Sequence, residues 1–296
     1  MTPEAREAGR SDIVGRTLSL AAAAAILLGA LLRIVEVAQG HAFGFDDSLL
    51  AINVVTRSLR EIAHPLAFEQ TAPILFLWTD RLLIDLLGVG NIALRLVPLV
   101  AGVVVLLLAW IVGRQLVPLP AAALAVALLA VSPLAVDYSD STKPYIVDAA
   151  VALSFIALTL RTLSRPDRSA DWLALAVAGA TGILLSTPAV FTLTACAAAL
   201  TIALSPAQRQ LYGPRLVAVG LVWGMVAVTN FLQIETPALH EPYLRHFWSN
   251  AFFVPTAPNL GERVRVVASS YSQSLFFGTN FRASIFARAA VAITGF

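Results

Sequence analysis

The stretch Ile74-Leu75-Phe76-Leu77-Trp78-Thr79-Asp80-Arg81-Leu82-Leu83-Ile84-Asp85-Leu86-Leu87 decides how this chain is threaded. It is apolar, but as a helix it reaches only about 21 Å, short of a hydrocarbon core of about 30 Å. Leu75, Trp78, Leu82 and Leu86 share one face and the Arg81–Asp85 pair lies on the other, the pattern of a helix lying along a membrane surface. The arginines elsewhere agree. Arg6, Arg10 and Arg16 precede the first long apolar run and hold the N-terminus in the cytoplasm. If 74–87 crossed, Arg114, Arg161, Arg165, Arg168, Arg209 and Arg215 would face outside, with Lys143 inside. Left at the interface, the stretch keeps all of those arginines cytoplasmic.

Around it the chain is built for a bilayer. Of its 296 residues 58% are hydrophobic and 13% charged, with a mean hydropathy of +0.80, about half the charge of a soluble domain. Runs such as Leu18–Leu32, Leu96–Val112, Ala121–Val136 and Leu216–Asn230 are too numerous to hide in one soluble core. The threading predicts an all-α polytopic membrane protein with seven spans, at 17–38, 93–113, 118–136, 145–163, 172–187, 188–204 and 215–235. The first is expected to be a retained span, not a cleaved signal. A further apolar segment starts near Ala283 and meets the end of the chain at Phe296, inside an eighth span. No repeat or separate soluble domain interrupts 1–296, which reads as one transmembrane domain. Its extracytoplasmic loops are 39–92, with amphipathic helices at Asp47–Ile62 and Ile74–Leu87, and 236–282.

The net charge of +2, without a basic aromatic-rich stripe, argues against nucleic acid. The single cysteine, Cys196, sits in an apolar run as a packing residue. There is no Walker-type loop or dinucleotide fingerprint, and His41, His64, His240 and His246 fall at no metal-ligand spacing, so no metal ligand is assigned. The third, fifth, sixth and seventh spans carry no charge near their middles, unlike ion-coupled transporters. Polar groups gather at the outer surface instead.

Two groups there carry chemistry. Asp46-Asp47 opens the first surface helix. Aspartates at a helix start satisfy free backbone amides, but a carboxylate just past the end of a span also suits a general base toward a hydroxyl. The second group is Asp137-Tyr138-Ser139-Asp140-Ser141-Thr142-Lys143-Pro144-Tyr145, with Asp148 one turn on. Lys143 stands in a short outer loop against the positive-inside bias, either as a snorkelling lysine or as a cation for a phosphate at the bilayer surface. Arg95, at the outer end of the second span, is a second candidate cation or an interfacial anchor.

In order and spacing, several motifs resemble the GT-C superfamily. They are Phe45-Asp46-Asp47, Gln70-Thr71-Ala72-Pro73 with Leu75-Phe76-Leu77, Gly88, Ala93-Leu94-Arg95-Leu96-Val97-Pro98, Gly113-Arg114, Ser132-Pro133, Lys143-Pro144-Tyr145 and Asp148. The likeness is to bacterial members related to protein O-mannosyltransferases and the aminoarabinose transferase, strongest over 15–165. Near Tyr243–Pro258, Phe247-Trp248 and Phe252-Phe253-Val254-Pro255 are similar to a second-outer-loop segment of such proteins. The resemblance implies a seven-span module in the bacterial cytoplasmic membrane, its site on the extracytoplasmic side. It implies a hexosyl or pentosyl transferase moving sugar from a polyprenyl-phosphate donor to a glycan, lipid or protein acceptor, with inversion. Residue by residue, it implies Asp46 as general base beside Asp47, where many relatives have glutamate. Lys143, where many have arginine, would bind the donor phosphate with Arg95. Tyr145, Gln70 and Asp148 would line the donor site, and Trp248 would belong to a donor or acceptor loop. Some relatives use a divalent metal, and the sequence leaves that open. Two other classes stay in view: a transporter or flippase of lipid-linked carriers, and a non-catalytic truncated homologue.

Overall fold

A computed structural model describes residues 3–236, and among them every regular element is helical. The order is α1 (Pro3–Gln39), α2 (Phe45–Thr56), a 3-10 turn (Glu61–Ala63), α3 (Ile74–Leu87), α4 (Asn91–Leu116), α5 (Leu119–Ala130), α6 (Pro133–Asp137), α7 (Tyr145–Ser164), α8 (Ser169–Leu185), α9 (Ala189–Ala203) and α10 (Pro206–Asn230), which runs into a π-turn (Phe231–Glu235). The expected loop 236–282, the segment from Ala283 and Trp248 lie outside the described residues, apart from Thr236.

Four helical segments are long and apolar enough to cross a membrane: Asp12–Gln39, Asn91–Leu116, Tyr145–Ser164 and Pro206–Ile234. They coincide with the expected first, second, fourth and seventh spans. The expected third, fifth and sixth spans are occupied by shorter apolar helices, Leu119–Ala130, Ser169–Leu185 and Ala189–Ala203. The helices turn leucines and other large apolar side chains outward, among them Leu20, Leu27, Leu124, Phe191, Leu221 and Met225, each more than half exposed. Such surfaces suit lipid and not water.

The third expected span, 118–136, is not one helix. Pro133 lacks an N–H to continue α5 and forces Ser132 into an extended conformation. The chain restarts as α6, with Ser132 Oγ accepting from the Ala135 amide at 3.4 Å. The break leaves the Ala130 carbonyl without a helical donor and Leu129 O with only the Ser132 amide at 3.4 Å, and Arg33 of α1 bonds to both. Its guanidinium is fully buried and donates to Ala130 O (3.2 Å), Leu129 O (3.3 Å) and, one turn back in α1, Gly29 O (2.9 Å). Sequence reasoning missed Arg33. An ionisable residue inside the first apolar run was the available signal.

Helix α1 packs on α4, α5 and α6, α4 packs on α7, and α7 on α8 and α9. At Gly102 of α4 an added Cβ would run into Ser139 Oγ and the Arg33 guanidinium, so glycine lets the loop between α6 and α7 approach that helix closely. At Gly179 of α8 the indole of Trp223 occupies the place of a Cβ, and its Nε1 donates to Ala176 O at 3.2 Å.

The surface helices differ from expectation in one boundary. Helix α3 spans Ile74–Leu87 as predicted, but α2 ends at Thr56 and not at Ile62. Beyond it, Ser58 N and Ser58 Oγ both donate to Glu61 Oε2, at 2.9 and 2.7 Å, closing a separate turn. Each helix has two apolar faces. Leu50, Ala51 and Val54 of α2, and Ile74, Phe76, Leu77 and Ile84 of α3, pack inward. Ile52, Trp78, Leu82 and Leu86 point outward, as a bilayer-facing stripe requires. Arg81 joins the two helices, donating to Val54 O (3.2 Å) and Val55 O (2.7 Å) while pairing with Asp85 at 2.6 Å.

Candidate active site

The link Gly40–Gly44 after α1, the start of α2 and the loop between α6 and α7 meet at one place. There the structure brings together residues far apart in sequence. Lys143 Nζ lies 2.9 Å from Asp46 Oδ2. It donates to Gln70 Oε1 at 2.6 Å, and Gln70 Nε2 donates to Asp46 Oδ1 at 3.2 Å. The lysine is buried (side chain 9% exposed) and Asp46 is open (61%). One wall of the cluster is therefore dry and the carboxylate reachable.

Gln70 arrives through an unusual backbone. Phe68 and Glu69 both have positive φ, 63° and 51°, a conformation that costs residues with a Cβ about 1 kcal/mol or more. The Phe68 carbonyl also accepts from Gln70 Nε2 at 3.2 Å. No sequence signal marks this turn, because it contains no glycine or asparagine.

Asp47 faces away from this triangle and binds the loop. Its Oδ1 accepts from Ser141 Oγ (2.7 Å), the Thr142 amide (2.7 Å) and Thr142 Oγ1 (2.9 Å), and its carbonyl accepts from Thr142 Oγ1 at 3.0 Å. The adjacent aspartates are thus divided: one open beside a cation, one saturated by donors that fix the segment carrying that cation.

Arg95 is not beside Lys143's ammonium. It is 1% exposed, with its guanidinium 4.2 Å from the Phe43 ring centroid. Its Nη2 donates to His41 O at 2.6 Å and its Nε to Asp140 O at 2.8 Å. Asp140 Oδ1 lies 3.0 Å from the same Nε, but the N–H is directed at the carbonyl and Oδ1 accepts no hydrogen bond. Arg95 thereby ties α4 to the link after α1 and to the loop.

Tyr145 opens α7, half exposed, its ring 5.0 Å from that of Tyr138. Asp148 lies one turn deeper, beside Ser186 at the end of α8, with its Oδ1 buried and without a hydrogen bond.

Acidic groups crowd the C-terminal end of α1. Burial, then the charges of Asp47 and Glu36, raise the Asp137 carboxyl above its ordinary range. Burial also lifts Asp140 to about 6, with Arg95 opposing, Glu36 adding to the rise and His41 opposing it. Among the described residues, Glu36, His41 and Asp140 bring metal-type ligand atoms within 4.8 Å of one another. Sequence spacing could not show this, since the ligands come from three separate segments.

With this geometry in hand, comparison with known proteins is informative. A family model described as dolichyl-phosphate-mannose-protein mannosyltransferase matches residues 71–233, more than half of the chain. No curated protein and no solved structure matches.

Proposed function

The chain belongs to the dolichyl-phosphate-mannose-protein mannosyltransferase family of membrane glycosyltransferases, and on that premise we propose that it moves a sugar from a polyprenyl-phosphate donor to an acceptor hydroxyl on the extracytoplasmic face, with inversion. The observation that carries this is the Asp46–Lys143–Gln70 cluster, an open carboxylate and a buried ammonium joined through one amide. It stands at the ends of apolar helices, where a lipid-anchored phosphate would meet water. The cluster follows α1 directly, so a cytoplasmic N-terminus, as the arginines before the first span imply, would put it outside.

The step balances simply. The acceptor oxygen attacks the anomeric carbon as the bond from that carbon to the phosphate oxygen breaks. Asp46 takes the acceptor's proton, and polyprenyl phosphate leaves with the electron pair. Lys143 stabilises the charge that grows on the departing phosphate, where an ammonium in a dry site is most effective. Base and leaving group stand on opposite sides of the sugar in an inverting displacement. The 2.9 Å Asp46–Lys143 contact is therefore the resting arrangement. An arriving phosphate takes Lys143, and the sugar comes to lie between the two groups. Gln70 can keep a hydrogen bond to either partner as they separate. Arg95 and Asp47 act by holding the loop, and Tyr145 and Asp148 line the donor side of α7.

Glycan and glycolipid analysis of a strain lacking the gene tests the proposal. Accumulation of one polyprenyl-phosphate sugar is expected and names the donor. An unchanged profile would refute it.

A further inference from the structure

Outside the Asp46–Lys143–Gln70 cluster, metal-ligating side chains from three segments converge. Glu36 lies near the end of α1, His41 in the link beyond it, and Asp140 in the loop between α6 and α7. We infer that Glu36, His41 and Asp140 bind one divalent transition-metal ion, of the Zn²⁺ or Mn²⁺ class, which clamps the end of α1 to the loop that carries Lys143.

Distance is the first ground. His41 Nδ1 and Glu36 Oε1 are 3.4 Å apart. That is beyond an ordinary N–H···O hydrogen bond and equals the separation of about 3.4 Å between two ligands each about 2.1 Å from a shared tetrahedral ion. Asp140 completes the set, with all three ligand atoms within 4.8 Å of one another.

The second ground is independent of the first. Asp140 Oδ1 is buried and accepts no hydrogen bond, although its side chain as a whole is only 12% exposed. The adjacent Arg95 Nε gives its proton to the Asp140 carbonyl instead. Asp140 Oδ1 has the Arg95 charge 3.0 Å away but no hydrogen-bond donor, so it keeps a free acceptor site that an ion could fill. Arg95 would then steady the ligand from outside, as partners of metal-bound carboxylates commonly do.

Charge and access agree. Glu36, Asp137 and Asp140 set three carboxylates against the single guanidinium of Arg95. The side chains of Glu36 and His41 are 35% and 39% exposed, so an ion can enter from the outer aqueous phase. One imidazole with two carboxylates favours a borderline transition ion over Ca²⁺ or Mg²⁺, which prefer oxygen and water. Asp46 and Asp47 are outside the set, one paired with Lys143 and the other saturated by Ser141 and Thr142. The ion is thus an organiser of the loop and takes no part in the transfer step.

The test uses the full chain in detergent, stripped with chelator and titrated with Zn²⁺ or Mn²⁺. Bound metal is counted by mass spectrometry and Mn²⁺ is followed by electron paramagnetic resonance. One saturable equivalent per chain is expected for the wild type and for Asp46→Asn, with affinity at least tenfold weaker in His41→Ala and Asp140→Asn. Zn²⁺ should raise the wild-type melting temperature and leave that of the folded conservative variant Glu36→Gln unchanged. Absence of a saturable equivalent in the wild type overturns the site, as does wild-type affinity in His41→Ala and Asp140→Asn. Metal binding is read without any sugar donor, so the site can fail while the transferase proposal stands, and the reverse.

Discussion

Lys143 Nζ and Asp46 Oδ2 lie 2.9 Å apart, and Gln70 bonds to both. An ammonium and a carboxylate in contact neutralise each other, yet the proposed reaction needs one for a phosphate and the other for a hydroxyl. The pairing gives the buried Lys143 ammonium a counter-ion, which under the proposed reaction a phosphate would replace. Under the proposal the pairing also links the two roles, since the arriving donor would release the base.

Asp46→Asn keeps the shape of the side chain and removes its basicity. Transfer should fall by roughly 10²- to 10⁴-fold, while binding of the polyprenyl-phosphate sugar persists. Single-turnover assays beside a donor-binding measurement separate the two. Unimpaired turnover would end the assignment of Asp46 as base.

Lys143→Ala removes a charge-assisted hydrogen bond worth about 1.5–3 kcal/mol, so donor affinity should drop roughly tenfold to a hundredfold. Because Lys143 also stabilises the departing phosphate, kcat should fall together with donor affinity. Lys143→Arg should recover most of the binding, since the charge is retained. Equal donor KM in the wild type and Lys143→Ala would count against phosphate recognition by this residue.

Asp47 holds the loop through Ser141 and Thr142. Asp47→Ala leaves those donors unsatisfied, at a cost of about 1–3 kcal/mol for a buried group. A lower melting temperature and a lower kcat are expected together. Asp47→Asn, which keeps one carbonyl oxygen as acceptor, should be milder. A melting temperature unmoved by Asp47→Ala would show that the loop is held by other means.

Asp80 of α3 is 1% exposed, with Oδ1 unpartnered, and burial pushes its carboxyl well above the ordinary 3.8. Between 3.8 and the raised value the folded chain holds a proton that the unfolded chain has lost. Its contribution is therefore present at low pH and declines as pH rises through that window. Asp80→Asn should raise the melting temperature at pH 7 and flatten its dependence on pH above 4. Thermal melts across that range decide it. An identical slope in the variant would contradict the burial argument.

Arg33 caps the end of α5 from within α1. Arg33→Met should destabilise the chain by leaving the Ala130 carbonyl without a donor in an apolar setting and Leu129 O with only the Ser132 amide at 3.4 Å. Arg33→Lys should recover only part of the loss, as one ammonium cannot copy the fork. Melting curves in detergent would expose an error here as equal stability of all three proteins.

The sequence by itself determined the helical membrane character, the identity of α3 as a short amphipathic helix and the residues worth suspecting. Those properties depend on composition and on spacing along one helix, which local periodicity records. Four long spans follow from apolar length alone. The expected third span, 118–136, ran through the break at Pro133, and the group that meets the freed backbone was hidden until α1 was seen beside α5.

Tertiary structure decided the division of labour. Asp46 and Asp47 are neighbours in sequence with equal chemistry, and only the loop packed against them leaves one open and saturates the other. Arg95 and Lys143 look like two cations for one phosphate, but Arg95 is turned to His41 and Asp140. The Glu36–His41–Asp140 convergence has no spacing to betray it. Each depends on side chains from separate helices meeting within a few ångströms, and one-dimensional periodicity carries no information about such meetings.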